Sequence, residues 1–399
     1  MAAGPLLAQA ETDPALVRAR RVLRASPLID GHNDLPWVIR EDTRAPRDVE
    51  AYDLRKRTTG DTDLQRMRSG QVGAQFWSVF IPGEIKDSGY ARVQLEQIDI
   101  ARRVIERYPE ALSLATSASD VTAAFRNGRI GSLLGMEGGH AIENSLGALR
   151  SYYRLGVRYM TLTHNVTLDW ADAAMDAPRH NGLTPFGRDV VREMNRLGMI
   201  VDISHVTPKV MHDVLDVAEA PVMFSHSSAK ALTDHPRNVP DDVLRRLQRN
   251  GGVVMVTFIP AFVSQSVATW ELRLGELTTG KPADEAARLR AEYARATPKP
   301  VATLKDVADH IDHVRKMAGV NHVGIGSDFW GDPDMPTGLE DASRFPYLFA
   351  ELIRRGWSDA DLAKLAGGNM LRVMRGAEVS AARIQRQRPA STATFEKRH

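Results

Sequence analysis

Cysteine is absent from the 399 residues, and with it go disulfides, thiolate nucleophiles, iron–sulfur clusters and every zinc site built on sulfur. A metal in this chain has to sit on histidine and carboxylate. Charge of one sign is also missing. The 52 basic and 50 acidic side chains leave a net +2, too balanced for the electrostatic footprint of a nucleic-acid binder. No apolar run approaches the roughly 18 residues that cross a bilayer, which excludes a membrane-spanning helix. Three catalytic signatures are lacking as well. No glycine-rich dinucleotide fingerprint follows the first apolar run, no Gly-x-Ser-x-Gly elbow marks a serine hydrolase, and no His-Glu-x-x-His marks a helical zinc protease.

What is present is an alternation. Short runs rich in Val, Ile, Leu, Phe and Met recur between stretches of helical periodicity, as in a parallel sheet wrapped by helices. Eight such runs stand out: Pro27–Asp30, Ala74–Ile81, Ile130–Met136, Arg158–Thr163, Met199–Ser204, Pro221–Ser225, Gly252–Phe258 and His322–Ser327. Eight strands with apolar residues on both parities predict an α/β fold of the closed (β/α)8, TIM-type barrel class rather than an open doubly wound sheet. The interval from Val263 to Pro300 is overlong and reads as a helical insertion before the eighth strand, on the barrel face where active sites form, either as a lid or as a solvated decoration. The barrel domain spans 14–376. Residues 1–13 contain an apolar stretch ending in Ala8-Gln9-Ala10, similar to the end of a secretory signal, which predicts export to the periplasm. Residues 377–399, polar and basic, read as a disordered tail.

In a barrel, chemistry projects from the carboxyl ends of strands. His32 and Asp34 follow the first run, Glu137 the third, His164 the fourth, His205 the fifth, His226 the sixth and Asp328 the eighth. In extended backbone, residues two apart point the same way, so His32 and Asp34 can grip one cation. Glu137, flanked by glycines in Gly135-Met136-Glu137-Gly138-Gly139, has two oxygens with which to bridge a second, held by His205 and His226. The donors are nitrogen and oxygen of borderline softness, which favours two zinc ions. Burying so many polar groups without a metal would carry a desolvation cost that nothing else offsets. His310 and His313, at i and i+3 beside Asp306 and Asp309, form a rival cluster, but they lie mid-helix and are assigned to an exposed face.

These segments resemble those of the renal (membrane) dipeptidases, zinc dipeptidases of the amidohydrolase-like barrels. The resemblance rests on Asp30-Gly31-His32-Asn33-Asp34-Leu35-Pro36-Trp37, Gln75-Phe76-Trp77-Ser78-Val79, Glu137-Gly138-Gly139-His140, Leu162-Thr163-His164, Phe224-Ser225-His226-Ser227-Ser228, Arg237-Asn238-Val239-Pro240-Asp241 and Gly326-Ser327-Asp328-Phe329. It implies a homodimeric binuclear zinc enzyme that cleaves dipeptides and often accepts a D-residue at the C-terminal position. It also implies that His164 contacts the scissile carbonyl oxygen, Asp328 moves the proton and Arg237 holds the substrate carboxylate. The animal enzymes carry paired cysteines and a lipid-anchor signal, so the chain resembles a bacterial soluble relative. Thr257-Phe258-Ile259-Pro260 stands where relatives offer a tyrosine. Two other readings of the same residues remain: another binuclear amidohydrolase acting on lactones, amides or phosphotriesters, and an exported protein that binds peptide or zinc without turnover.

Overall fold

Strands without a polar face must be covered on both sides, and the sequence supplies such strands in order. A computed structural model describes residues 13–85 and 89–396. Its strands are β1 Leu28–Asn33, β2 Val72–Ser78, β3 Leu112–Leu114, β4 Ile130–Glu137, β5 Val157–Thr161, β6 Ile200–Asp202, β7 Met223–Phe224, β8 Val253–Val256 and β9 Val323–Ile325. All pairings are parallel, and β1-β2-β4-β5-β6-β7-β8-β9 close into a ring through the β2–β4 and β1–β9 pairings. The fold is the expected (β/α)8 barrel, each of the eight apolar runs overlapping one ring strand. The unexpected ninth strand, β3, is three residues long and lies outside the ring beside the start of β4, too short to show a pattern.

The covering helices have ordinary local causes. Pro185–Leu197 begins with Thr184 capping the backbone N–H of Gly187 and proline in the first turn, and stops at Gly198 in the left-handed region. Asp241–Asn250 buries Val243, Leu244 and Leu247 and ends at Gly251 in the same way. Inside the ring, Ile29, Phe76, Leu133, Tyr159, Met223 and Met255 make a core separate from the one between sheet and helices.

The floor of that inner core comes from the last long helix, Asn369–Gln387, through Met370, Val373, Met374 and Ala377. This corrects the expectation of a disordered segment from 377. The helix runs on to Gln387, burying Ala381 and Ile384, and its charged outer face is what made the stretch read as polar. Beyond it, the Ser391 N–H donates to Glu193 at 3.2 Å, and Phe395 packs edge-on against Phe186. Residues 1–12, which hold the export expectation, lie outside the described part. Among the described residues no helix is long and apolar enough to cross a membrane.

The insertion is helical: Pro260–Val263, Gln265–Thr278 and Ala283–Ala296, with the Trp270 indole donating to the Thr297 carbonyl at 2.7 Å.

His310 is a second correction. On helix Leu304–Ala318 it is 1% exposed, among Val307, Ile311 and Val314. Its Nδ1 accepts the Ala229 N–H at 2.9 Å, so its Nε2 is left to donate towards the Val263 carbonyl at 3.2 Å. The imidazole is buried because the loop after β7 has backbone groups to satisfy, a demand invisible in helical spacing. His313 is half-buried, paired with Asp241 at 2.7 Å. Replacing His310 by Ala strands the Ala229 N–H, so His310→Ala should lose about 1–3 kcal/mol in urea unfolding while keeping its metal content. An unchanged midpoint would contradict this.

Candidate active site

Six ring strands deliver the expected residues to one end of the barrel. His32 and Asp34 come from the end of β1, Glu137 from the last residue of β4, and His164 from beyond β5. His205 follows β6, His226 follows β7 and Asp328 follows β9. The Glu137 carboxylate is the meeting point. Its Oε1 lies 2.9 Å from His205 Nε2 and 3.3 Å from His226 Nε2, and its Oε2 lies 3.5 Å from His32 Nε2. His32 Nε2 is 3.4 Å from Asp34 and 3.8 Å from Asp328.

Each of the three rings turns the same nitrogen inward, because the other is occupied. His32 Nδ1 lies 2.9 Å from the Tyr159 hydroxyl, which in turn donates to the Gly31 carbonyl, so the imidazole must be the donor. Tyr159 reaches this position across Gly135, where a Cβ would come within 2.0 Å of the phenol ring. His205 Nδ1 lies 3.2 Å from Asn165 Oδ1, and His226 Nδ1 lies 2.7 Å from Ser225 Oγ. Three Nε2 atoms therefore converge on one carboxylate, a geometry that orients imidazoles for a metal.

The electrostatics divide the rings: against burial, Tyr159, Glu137 and Asp34 hold His32 well above the usual histidine range, the mark of a place that calls for positive charge. Burial, Arg237 and His164 hold His205 well below the usual histidine range, and burial, His32 and Arg237 do the same for His226. Both rings are thus in the neutral, ligating form at neutral pH. Against the effect of burial, the charge of His32 beside it holds Glu137 well below the usual carboxylate range. His205 Nε2 and His226 Nε2 face each other at 2.9 Å, an arrangement of two lone pairs that only a cation or proton between them relieves. His32 Nε2 and Asp34 Oδ1 are buried without hydrogen-bond partners. The donor set therefore fits divalent metal.

Ligand atoms within 4.8 Å of one another group as His32, Glu137 and His226; as Glu137, His164 and His205; and as His32, Asp34 and Asp328. His164 and Asp328, expected outside the coordination set, thus stand at its edge. Burial pushes Asp328 up to about 8; Asp34 and Glu137 add to the rise, while His32 and Arg237 oppose it. His164 is lowered by burial, and its Nδ1 has no partner.

Backbone strain marks the same place. His205, Asp328 and Trp330 all sit at positive φ, 66°, 61° and 77°, a region non-glycine residues avoid. Trp330 is held there by its N–H on Asp61 at 3.1 Å and by Gly60, where a Cβ would meet the indole at 1.7 Å.

A cavity of about 360 Å³ opens above the cluster. Asp34, Glu137, His164, His205, His226, Arg237 and Asp328 share its lining with Trp37, Phe80, Ile259, Phe262 and Trp330. Arg237, a loop residue whose sequence context suits an exposed surface, is 5% exposed. Its Nη2 donates to the His226 carbonyl at 3.4 Å, its guanidinium lies 5.0 Å over the Phe262 ring, and its Nε has no partner. Burial lowers it to about 10, partly offset by Asp328, Glu137 and Asp202, so it stays cationic at neutral pH. No residue of the insertion, Val263 to Pro300, lines the cavity; Phe262, just before it, does. The aromatic wall had no sequence signal of its own, since Phe80 lies 43 residues after Trp37 and Trp330 lies 250 residues after Phe80.

The family model for membrane dipeptidase (Peptidase family M19) matches residues 16–388. Among solved structures, the chain is similar to the probable dipeptidase PvdM from Pseudomonas aeruginosa, at 26% identity and TM-score 0.81 over 92% of this chain and 99% of that one. It is similar in fold to an amidohydrolase from Pseudomonas aeruginosa, at 23% identity and TM-score 0.70 over 90% and 98% of the two chains. A metallopeptidase from Rhodobacter sphaeroides, with a phosphinate mimic of the dipeptide L-Ala-D-Ala, matches at 23% identity and TM-score 0.72 over 88% and 99%.

Glu137→Gln removes the negative charge that three rings share. The variant should lose most of its bound divalent cation by elemental analysis while its circular dichroism is kept, and full occupancy would locate the cation elsewhere.

Proposed function

Since the chain belongs to the membrane dipeptidase family, Peptidase family M19, and is a metallodipeptidase, we propose that it hydrolyses dipeptides with a free C-terminal carboxylate, using two zinc ions. His32 and Asp34 would hold one ion, His205 and His226 the other, and Glu137 both. Zinc bound there supplies a water acidified towards neutrality and a Lewis acid for the peptide carbonyl. The observation that carries the reading is the pairing, in one cavity, of this donor cluster with a buried guanidinium whose Nε is unsatisfied. A buried cation without an ion pair within 4 Å among the described residues is suited to an anion that arrives with the substrate.

The remaining roles follow from position. Arg237 orients the dipeptide by its carboxylate, which fixes the scissile bond relative to the cluster. Asp328, at the edge of the cluster, takes the proton of the attacking water and passes it to the leaving amine. His164, kept neutral by burial, donates to the oxygen of the carbonyl as it gains charge. The walls of Trp37, Phe80, Ile259, Phe262 and Trp330 take apolar side chains and offer no counter-ion for charged ones. Either configuration at the C-terminal residue is included in the proposal, supported by the L-Ala-D-Ala mimic in the Rhodobacter sphaeroides relative. A homodimer and export to the periplasm complete it, and both rest on the sequence reading.

Two substitutions test these roles. Asp328→Asn should keep both metals and lose roughly 10²- to 10⁴-fold in turnover; loss of zinc instead would make Asp328 a ligand. Arg237→Lys should sharply weaken hydrolysis of free dipeptides and leave dipeptide amides little changed, because a lysine cannot reproduce the two parallel hydrogen bonds. Equal loss on acid and amide would assign Arg237 to the loop rather than the substrate.

A further inference from the structure

Two carboxylates below the cluster belong to neither the metal set nor the cavity. Asp30 and Asp202 are both 0% exposed, on β1 and β6. Each reaches sideways to a serine at the end of the neighbouring strand, and each serine immediately precedes a residue of the site. Asp30 accepts the Ser327 N–H at 2.7 Å and the Ser327 hydroxyl at 2.6 Å. Asp202 accepts the Ser225 N–H at 2.9 Å and the Ser225 hydroxyl at 2.6 Å. Ser327 leads into Asp328, and Ser225 into His226.

The positions of these two pairs are informative. Backbone pairing is thinnest at the same two seams: β1 meets β9 through a single register pair, Asp30 with Ile325, and β6 meets β7 through a single pair, Asp202 with Met223. By contrast, β2 and β4 pair over five residues. Main-chain bonds still cross both seams at the strand ends, where the Asp328 N–H donates to the His32 carbonyl and the Ile203 N–H to the Met223 carbonyl. The carboxylates add side-chain bonds where the paired stretch of strand is shortest.

At the β6–β7 seam the hydrogen-bond count also decides a tautomer. Ionised Asp202 can only accept, and it takes donors from Ser204 N, Ser225 N, Ser225 Oγ and Thr161 Oγ1. The single Ser225 hydroxyl proton is therefore committed to Asp202. Ser225 Oγ can then only accept from His226 Nδ1, 2.7 Å away, which leaves His226 Nε2 bare.

We propose that Asp30–Ser327 and Asp202–Ser225 are paired positioning devices, clasps that hold the ligand-bearing strand ends in register, the second also fixing the metal-binding tautomer of His226. This rests on the two-zinc reading of the site. None of the four residues touches substrate. They act through His32, Asp328, His205 and His226.

The test is a competitive zinc titration against a chromophoric chelator, using full-length wild type, Ser225→Ala, Ser327→Ala and Ser132→Ala. Ser132 is an equally buried serine on β4, outside both clasps. Ser225→Ala should weaken one of the two ions by roughly 10- to 100-fold, the usual effect of removing a ligand's hydrogen-bond partner. Ser327→Ala should weaken the other, and Ser132→Ala neither. The visible spectrum of the cobalt-substituted Ser225→Ala variant should change, which a general loss of stability would not produce in the folded fraction. Wild-type affinity for both ions in Ser225→Ala and Ser327→Ala overturns the clasps alone, as does equal weakening by Ser132→Ala. Wild type that binds no zinc overturns the reading of the site on which they rest. Asp202→Asn is kept as a second variant. If it folds, it should match Ser225→Ala at the same ion, and wild-type affinity there would count against the clasp.

Discussion

A carboxylate buried at the mouth of a barrel, with three imidazole nitrogens aimed at it, is the constraint around which this protein is organised. Glu137 is 4% exposed, so it and the rings around it have given up most of their hydration. Such a cluster is tolerable only when a cation completes it, so the surrounding structure is devoted to holding lone pairs in place rather than satisfying them. Tyr159, Asn165 and Ser225 each occupy the outward nitrogen of one histidine. The strained backbone at His205 and Asp328 turns their side chains inward, and hydrogen bonds to the His205 carbonyl from Thr163 and Ala174 secure that turn.

Much of this was legible in the sequence because strand ends and chemistry coincide in a barrel. The eight apolar runs announced the ring, and a histidine or carboxylate after six of them announced the centre. What the pattern could not carry was anything decided by partners distant in the chain. His310 belongs to a helix with acidic neighbours and reads as surface, yet a loop 81 residues earlier needs its imidazole. The last helix reads as a polar tail because one face of it is polar, while the other is the floor of the barrel. Arg237 lies between prolines in a loop, with nothing local to indicate burial. Ser225 stands beside His226 and Asp202 three residues before His205, but their pairing across a seam exists only once β6 and β7 lie side by side.

The cavity divides its labour along its lining. One side is the polar cluster and Arg237; the other is Trp37, Phe80, Ile259, Phe262 and Trp330. Polar groups of that kind discriminate strongly, because a ligand lacking the matching charge leaves them unpaired, whereas apolar walls discriminate weakly by size. On the proposed reading, selectivity for a free carboxylate and breadth towards side chains would coexist in one pocket.

The floor helix also bears on the order in which the protein can be made. The inner core stays open until Met370, Val373 and Met374 have left the ribosome, and β1 has no partner on its β9 side until Val323–Ile325 has been synthesised. Throughout most of translation, the growing chain carries an unclosed parallel edge and an uncovered apolar interior. Long-range closure of this kind is slow and exposes the chain to aggregation while it waits. Truncations at the carboxyl end, which look harmless by composition, would therefore act on whether the barrel closes at all.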